Sequence, residues 1–99
     1  MLIEESVGST LRRLRLSAKL GIKSVGPRVG VSYSYLSKIE NGKKLPSVGL
    51  ITELCKLYGA DPDDIIAKTG ALPHDITEII QTHGKDAYEL LRHTYTETD

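Results

Sequence analysis

The chain has 99 residues, 39% of them hydrophobic and 26% charged, with no Phe or Trp and a formal net charge of zero. That length suits one domain with a modest core, and the ordinary hydrophobic content excludes wholesale disorder. No apolar run approaches the ~20 residues of a membrane span. A single cysteine, Cys55, excludes an internal disulfide. With no secretory leader pattern at the start, the expectation is a small protein of a reducing cytoplasm.

The neutral total hides an asymmetry. Residues 1–56 carry ten Lys/Arg (Arg12, Arg13, Arg15, Lys19, Lys23, Arg28, Lys38, Lys43, Lys44, Lys56) against Glu4, Glu5, Glu40 and Glu53. Residues 57–99 carry only Lys68, Lys85 and Arg92 against nine acids. A basic half attracts polyanions, because each neutralised phosphate releases condensed counterions; an acidic tail folded onto a basic head would give the same asymmetry.

In chain order, Val7, Leu11, Leu14 and Ala18 recur on one helical face, with Ser6 or Ser9 as cap and Gly21 beyond the end. A short second helix is expected to start near Ser24, because proline is tolerated best in a first turn and Pro27 would then be its third residue. Gly30 makes the turn, Ser32 caps a third helix running to about Asn41, and Asn41-Gly42 ends it. Beyond the basic loop Lys43-Lys44-Leu45-Pro46, Ser47 caps a fourth helix bearing Leu50, Ile51, Leu54, Cys55 and Tyr58. Asp61-Pro62-Asp63-Asp64 starts a fifth, with acids against the positive end of its dipole, and Gly70 stops it. Pro73 opens a sixth helix with Ile76, Ile79 and Ile80. Past Gly84 a seventh carries Ala87, Leu90, Leu91 and Tyr95, and Thr96 to Asp99 are expected to fray. No β pattern emerges.

Two short helices joined by a tight turn make a helix-turn-helix. Val25 and Val29, Val31 in the turn, and Leu36 and Ile39 form its apolar clasp. With Leu36 and Ile39 inward, Tyr33, Ser34, Ser37 and Lys38 must point outward: a cation, an amphipathic ring and two hydroxyls, chemistry suited to base edges and phosphates. Residues 11–66 resemble the lambda repressor/Cro-type (XRE) helix-turn-helix domain. The resemblance rests on Leu11-Arg12-Arg13-Leu14-Arg15, on Val29-Gly30-Val31-Ser32-Tyr33-Ser34-Tyr35-Leu36-Ser37-Lys38-Ile39-Glu40-Asn41-Gly42, and on Pro46-Ser47.

The resemblance implies a five-helix lambda repressor-like DNA-binding domain, here residues 1–70; residues 71–99, outside the match, read from their periodicity as a C-terminal helical hairpin, which makes the whole an all-α fold. It also implies a sequence-specific regulator of transcription, a repressor acting as a homodimer on a palindromic operator in double-stranded DNA. By the same resemblance Tyr33, Ser34, Ser37 and Lys38 enter the major groove. Lys23 and Ser24 sit at the start of helix 2, where free N–H groups favour phosphate. Tyr35, Asn41, Lys43 and Lys44 touch the DNA backbone, and Arg15 pairs with Glu40. Ile22 stands where the family often has a phosphate-binding Gln, and Gly26-Pro27 stand where stronger helix formers occur.

Other chemistries lack a pattern. His74, His83 and His93 lie nine and ten residues apart with no Cys pair, so no metal or cofactor is expected. Neither a phosphate loop nor a nucleophile signature points to an enzyme. Cys55 reads as a buried small hydrophobe. Ile76, Ile79, Ile80, Leu90, Leu91 and Tyr95 are more apolar surface than a pendant hairpin can hide. The hairpin therefore either folds back on helices 1 and 5 or, as favoured here, meets a second copy. An antitoxin-like module whose hairpin caps a protein partner is the alternative.

Overall fold

The local signals fold into seven helices across residues 5–96, the range described by this computed structural model: α1 (Val7–Ser17), α2 (Ile22–Val29), α3 (Tyr33–Glu40), α4 (Val48–Tyr58), α5 (Pro62–Thr69), α6 (His74–His83) and α7 (Lys85–Tyr95). No strand occurs among the described residues. Of the expected frayed tail only Thr96 falls within that range, and the first four residues of the 1–70 domain lie outside it.

Side-chain capping fixes four of the helix starts. Ser6, Ser32 and Ser47 each accept, through Oγ, from the N–H three residues on, at 3.1 Å in every case. Asp61 accepts from the Asp63 N–H at 3.0 Å, with Pro62 in the first turn. Each bond satisfies a donor that has no partner inside its helix.

One boundary differs from expectation. Helix α2 begins at Ile22, with Gly21 rather than Ser24 in the capping position, so Pro27 lies inside the helix. Its missing N–H leaves the Lys23 carbonyl without its helical donor. The apolar face outweighs that loss: Val25 is fully buried, and Ile22 and Val29 pack against the core. The Ser24 Oγ donates to the Gly21 carbonyl at 2.9 Å instead of capping.

The core comprises Leu11, Val25, Leu36, Ile39, Ile51, Leu54, Cys55, Ile65 and Ile66, so each of α1 to α5 contributes and neither α6 nor α7 does. Burial pushes the Cys55 thiol above its ordinary pKa, as suits a packing residue. Helices α6 and α7 pack on each other across Gly84 and away from this core. Ile79 is 52% exposed and Leu90 65%, with Ile76, Leu91 and Tyr95 also exposed and Ile80 half-buried. The hairpin does not fold back on α1 and α5. Accordingly the radius of gyration is 16.2 Å, against about 13 Å for a compact 100-residue domain.

Candidate nucleic-acid interface

Two close backbone approaches set the geometry of α2, α3 and the turn between them. Gly30 adopts the left-handed conformation (φ 78°), and the Val31 N–H returns to the Gly26 carbonyl at 3.0 Å. A Cβ on Gly26 would lie 2.6 Å from the Val31 carbonyl oxygen and 3.2 Å from the Tyr33 nitrogen. Glycine at 26 is therefore required by the closeness of the turn, which outweighs its poor helix propensity. Gly8 plays the same part in α1: a Cβ there would collide with the last carbonyls of α3, those of Ile39 and Glu40. The one signal in the sequence that could have marked both is a glycine standing inside a helical pattern, which often reflects close packing.

The far end of α3 is held by charge. Arg15 Nε donates to Glu40 Oε2 at 2.8 Å and Nη2 to Oε1 at 2.9 Å, while Nη1 donates to the Leu20 carbonyl at 2.9 Å. Both residues are 7% exposed. The guanidinium thus ties α3 to α1 and to the connection into α2, and its hydrogen bonds to Glu40 raise its pKa. Removing either partner would strand a buried charge. Tyr58 lies beside this pair. Burial, with the Glu40 charge next in importance, pushes its pKa up to about 12, and its buried hydroxyl has no hydrogen-bond partner among the described residues.

With Leu36 and Ile39 buried, the opposite side of α3 is free. Tyr33, Ser34, Tyr35 and Lys38 are exposed, and Ser34 and Lys38 lie one turn apart on the same face. Ser37 is only half-buried, and its Oγ accepts from Asn41 Nδ2 at 3.3 Å. These two form a local polar link. Lys43 and Lys44 are exposed just past the left-handed Gly42, and Lys23 and Ser24 are exposed on the first turn of α2. One contact has no signal in the sequence: Lys23 Nζ stands 5.1 Å from the centroid of the Tyr33 ring. Helix α6 packs chiefly on α7 rather than on α2 or α3.

Among the described residues, no cluster of three or more His, Cys, Asp or Glu could hold a metal ion, and no helix is long and apolar enough to cross a membrane.

Comparison with known proteins gives this geometry a family. Residues 6–66 match the family described as a helix-turn-helix domain. The transcriptional regulator ClgR of Mycobacterium tuberculosis is 41% identical over 54 residues, 54% of this chain and 48% of that protein. The chain therefore spans about half the length of that relative. An HTH-type transcriptional regulator of Sinorhizobium fredii, y4dJ, is 34% identical over 67 residues, 68% of this chain and 87% of the relative. In fold, the chain resembles the crystal structure of the clp gene regulator ClgR from Corynebacterium glutamicum, with a TM-score of 0.59 at 24% identity over 98% of each chain. The chain belongs to the helix-turn-helix family, of the lambda repressor/Cro (XRE) type.

Proposed function

We propose that the protein is a sequence-specific DNA-binding regulator of transcription, a repressor that acts as a homodimer on a palindromic operator. The observation that carries this reading is the division of α3: Leu36 and Ile39 are buried, while Tyr33, Ser34 and Lys38 remain exposed. A helix anchored on one side and polar on the other fits a major groove, with its N-terminal residues against base edges. Tyr33, Ser34 and Lys38 read bases. Ser37 and Asn41 contribute through their shared hydrogen bond. Tyr35, Lys43, Lys44, Lys23 and Ser24 contact phosphates, which position the helix without carrying sequence information. The relatives named as transcriptional regulators support the same reading.

The α6–α7 hairpin supplies the pairing surface. Full burial of an Ile, Leu or aromatic side chain contributes about 1.5–3 kcal/mol, so Ile76, Ile79, Ile80, Leu90, Leu91 and Tyr95 suffice to hold two copies together. Pairing two α3 helices about 34–36 Å apart doubles the readout. The acidic hairpin also suits a surface held away from DNA. That same exposed apolar surface supports the second reading, in which it caps a protein partner and DNA binding is secondary.

Selection from a random duplex pool tests the proposal: a palindromic consensus is expected, and failure to enrich any duplex overturns it. On the selected site, Lys38→Ala should cost about 1–3 kcal/mol of discrimination, whereas Lys43→Ala should weaken every duplex alike and reduce the salt dependence by about one charge. Equal losses from both variants on all sequences would contradict these roles. Sedimentation showing a dimer at tens of micromolar supports pairing through the hairpin; a monomer at that concentration excludes it.

A further inference from the structure

Lys23 and Tyr33 belong to different helices, ten residues apart in sequence, and the turn between them brings them together. Because Gly26 lacks a Cβ, the Val31 carbonyl and the Tyr33 nitrogen approach α2 closely, and the first turns of α2 and α3 come within side-chain reach. The Lys23 ammonium then lies 5.1 Å from the centroid of the Tyr33 ring, within the range of a cation–π contact. Among the described residues Lys23 makes no ion pair that would draw it elsewhere. Tyr33 is the first residue of α3 and 49% exposed, so the contact leaves much of the ring available to a ligand.

We propose that Lys23 is a positioning residue for sequence readout: its ammonium holds the Tyr33 ring in one orientation at the start of α3, so that the ring meets base edges already ordered. This deepens the duplex-binding reading and rests on it. A tyrosine free to rotate must lose rotamer freedom when it binds, and fixing it beforehand removes part of that cost. The attraction engages the charge of the ammonium and leaves N–H groups for a phosphate oxygen. Lys23 therefore acts on affinity directly and on specificity through Tyr33. A plain phosphate contact would change affinity for all sequences equally.

The test has one arm without DNA and one with it. In the free protein, the Lys23 ε-methylene protons should be shifted upfield by the Tyr33 ring current and should return to ordinary values in Tyr33→Leu. On a duplex selected by the unaltered protein, discrimination is the affinity ratio between that duplex and versions with one base pair changed. Lys23→Met should lower it about two- to five-fold at the positions Tyr33→Leu also affects, while Lys23→Arg should retain it. The double variant Lys23→Met/Tyr33→Leu should discriminate no worse than Tyr33→Leu alone, the mark of coupled residues. Losses by one common factor on every duplex, additive with Tyr33→Leu, would overturn the proposal. So would an unshifted Lys23 signal in a protein that still binds the selected duplex. A shifted signal in a protein that binds no duplex would instead overturn the DNA-binding reading and this proposal with it.

Discussion

The five-helix domain and the hairpin are built from similar helices with opposite fates. Each of α1 to α5 turns its apolar face onto a shared centre, and all nine core side chains come from them. Helices α6 and α7 carry comparable Ile and Leu residues at helical spacing, yet neither buries a single residue. The difference is one of number and closure. Five short helices can surround a core, whereas two can cover only the strip where they touch. An apolar helix face therefore identifies what must be covered without identifying what covers it.

Substitutions on the two sides of this divide should behave differently. The largest effect is expected from Glu40→Ala, which leaves Arg15 charged and unpaired in a buried site and should cost about 3–5 kcal/mol in urea unfolding. A loss below about 1 kcal/mol would mean that the pair does not organise the domain. Gly26→Ala should cost about 1–3 kcal/mol, because the added methyl meets the Val31 backbone and the neighbours cannot yield without opening the turn.

Tyr58 gives a smaller, pH-dependent effect. Its folded-state pKa, about 12, lies above its ordinary value near 10, so the folded protein holds the phenol proton more tightly than the unfolded chain. The associated stability is complete below pH ~10 and falls as pH rises toward ~12. Tyr58→Phe should flatten that fall. It should also stabilise the protein by up to about 1 kcal/mol at neutral pH, because it removes a buried hydroxyl that has no hydrogen-bond partner among the described residues. An unchanged alkaline limb in Tyr58→Phe would show that other groups titrate there.

The smallest effect on the five-helix domain is expected from the hairpin. Leu91→Ala should shift unfolding of the monomer by no more than about 0.5 kcal/mol, as for other exposed positions. The same substitution should weaken self-association by sedimentation. A large loss in the monomer would show that α7 supports the core after all, and the contrast between the two regions would fail.

Much of this fold was legible because its signals are local. Ser32, Ser47 and Asp61 cap the helices their side chains can reach within three residues, and Gly30 and Gly42 turn the chain where a Cβ would be strained. The outward set on α3 could be read because Leu36 and Ile39 had to face inward. The start of α2 lies at Ile22 rather than near Ser24, since the local rule for proline gives way to the burial of Val25 and the packing of Ile22. Gly26 was read as a weak helix former, although the approach of Val31 explains it.

The amino-acid sequence by itself determined the order of the helices, the caps of α1, α3, α4 and α5, the division of α3 and the separation of charge along the chain, because each depends on neighbours within a turn or two. Only the tertiary structure decided that Gly8 and Gly26 must lack side chains, that Lys23 stands over Tyr33, that the Tyr58 hydroxyl is buried beside the Arg15–Glu40 pair, and that the hairpin stays out of the core. Those outcomes depend on distances between separate helices, which are fixed only when five apolar faces close around one centre.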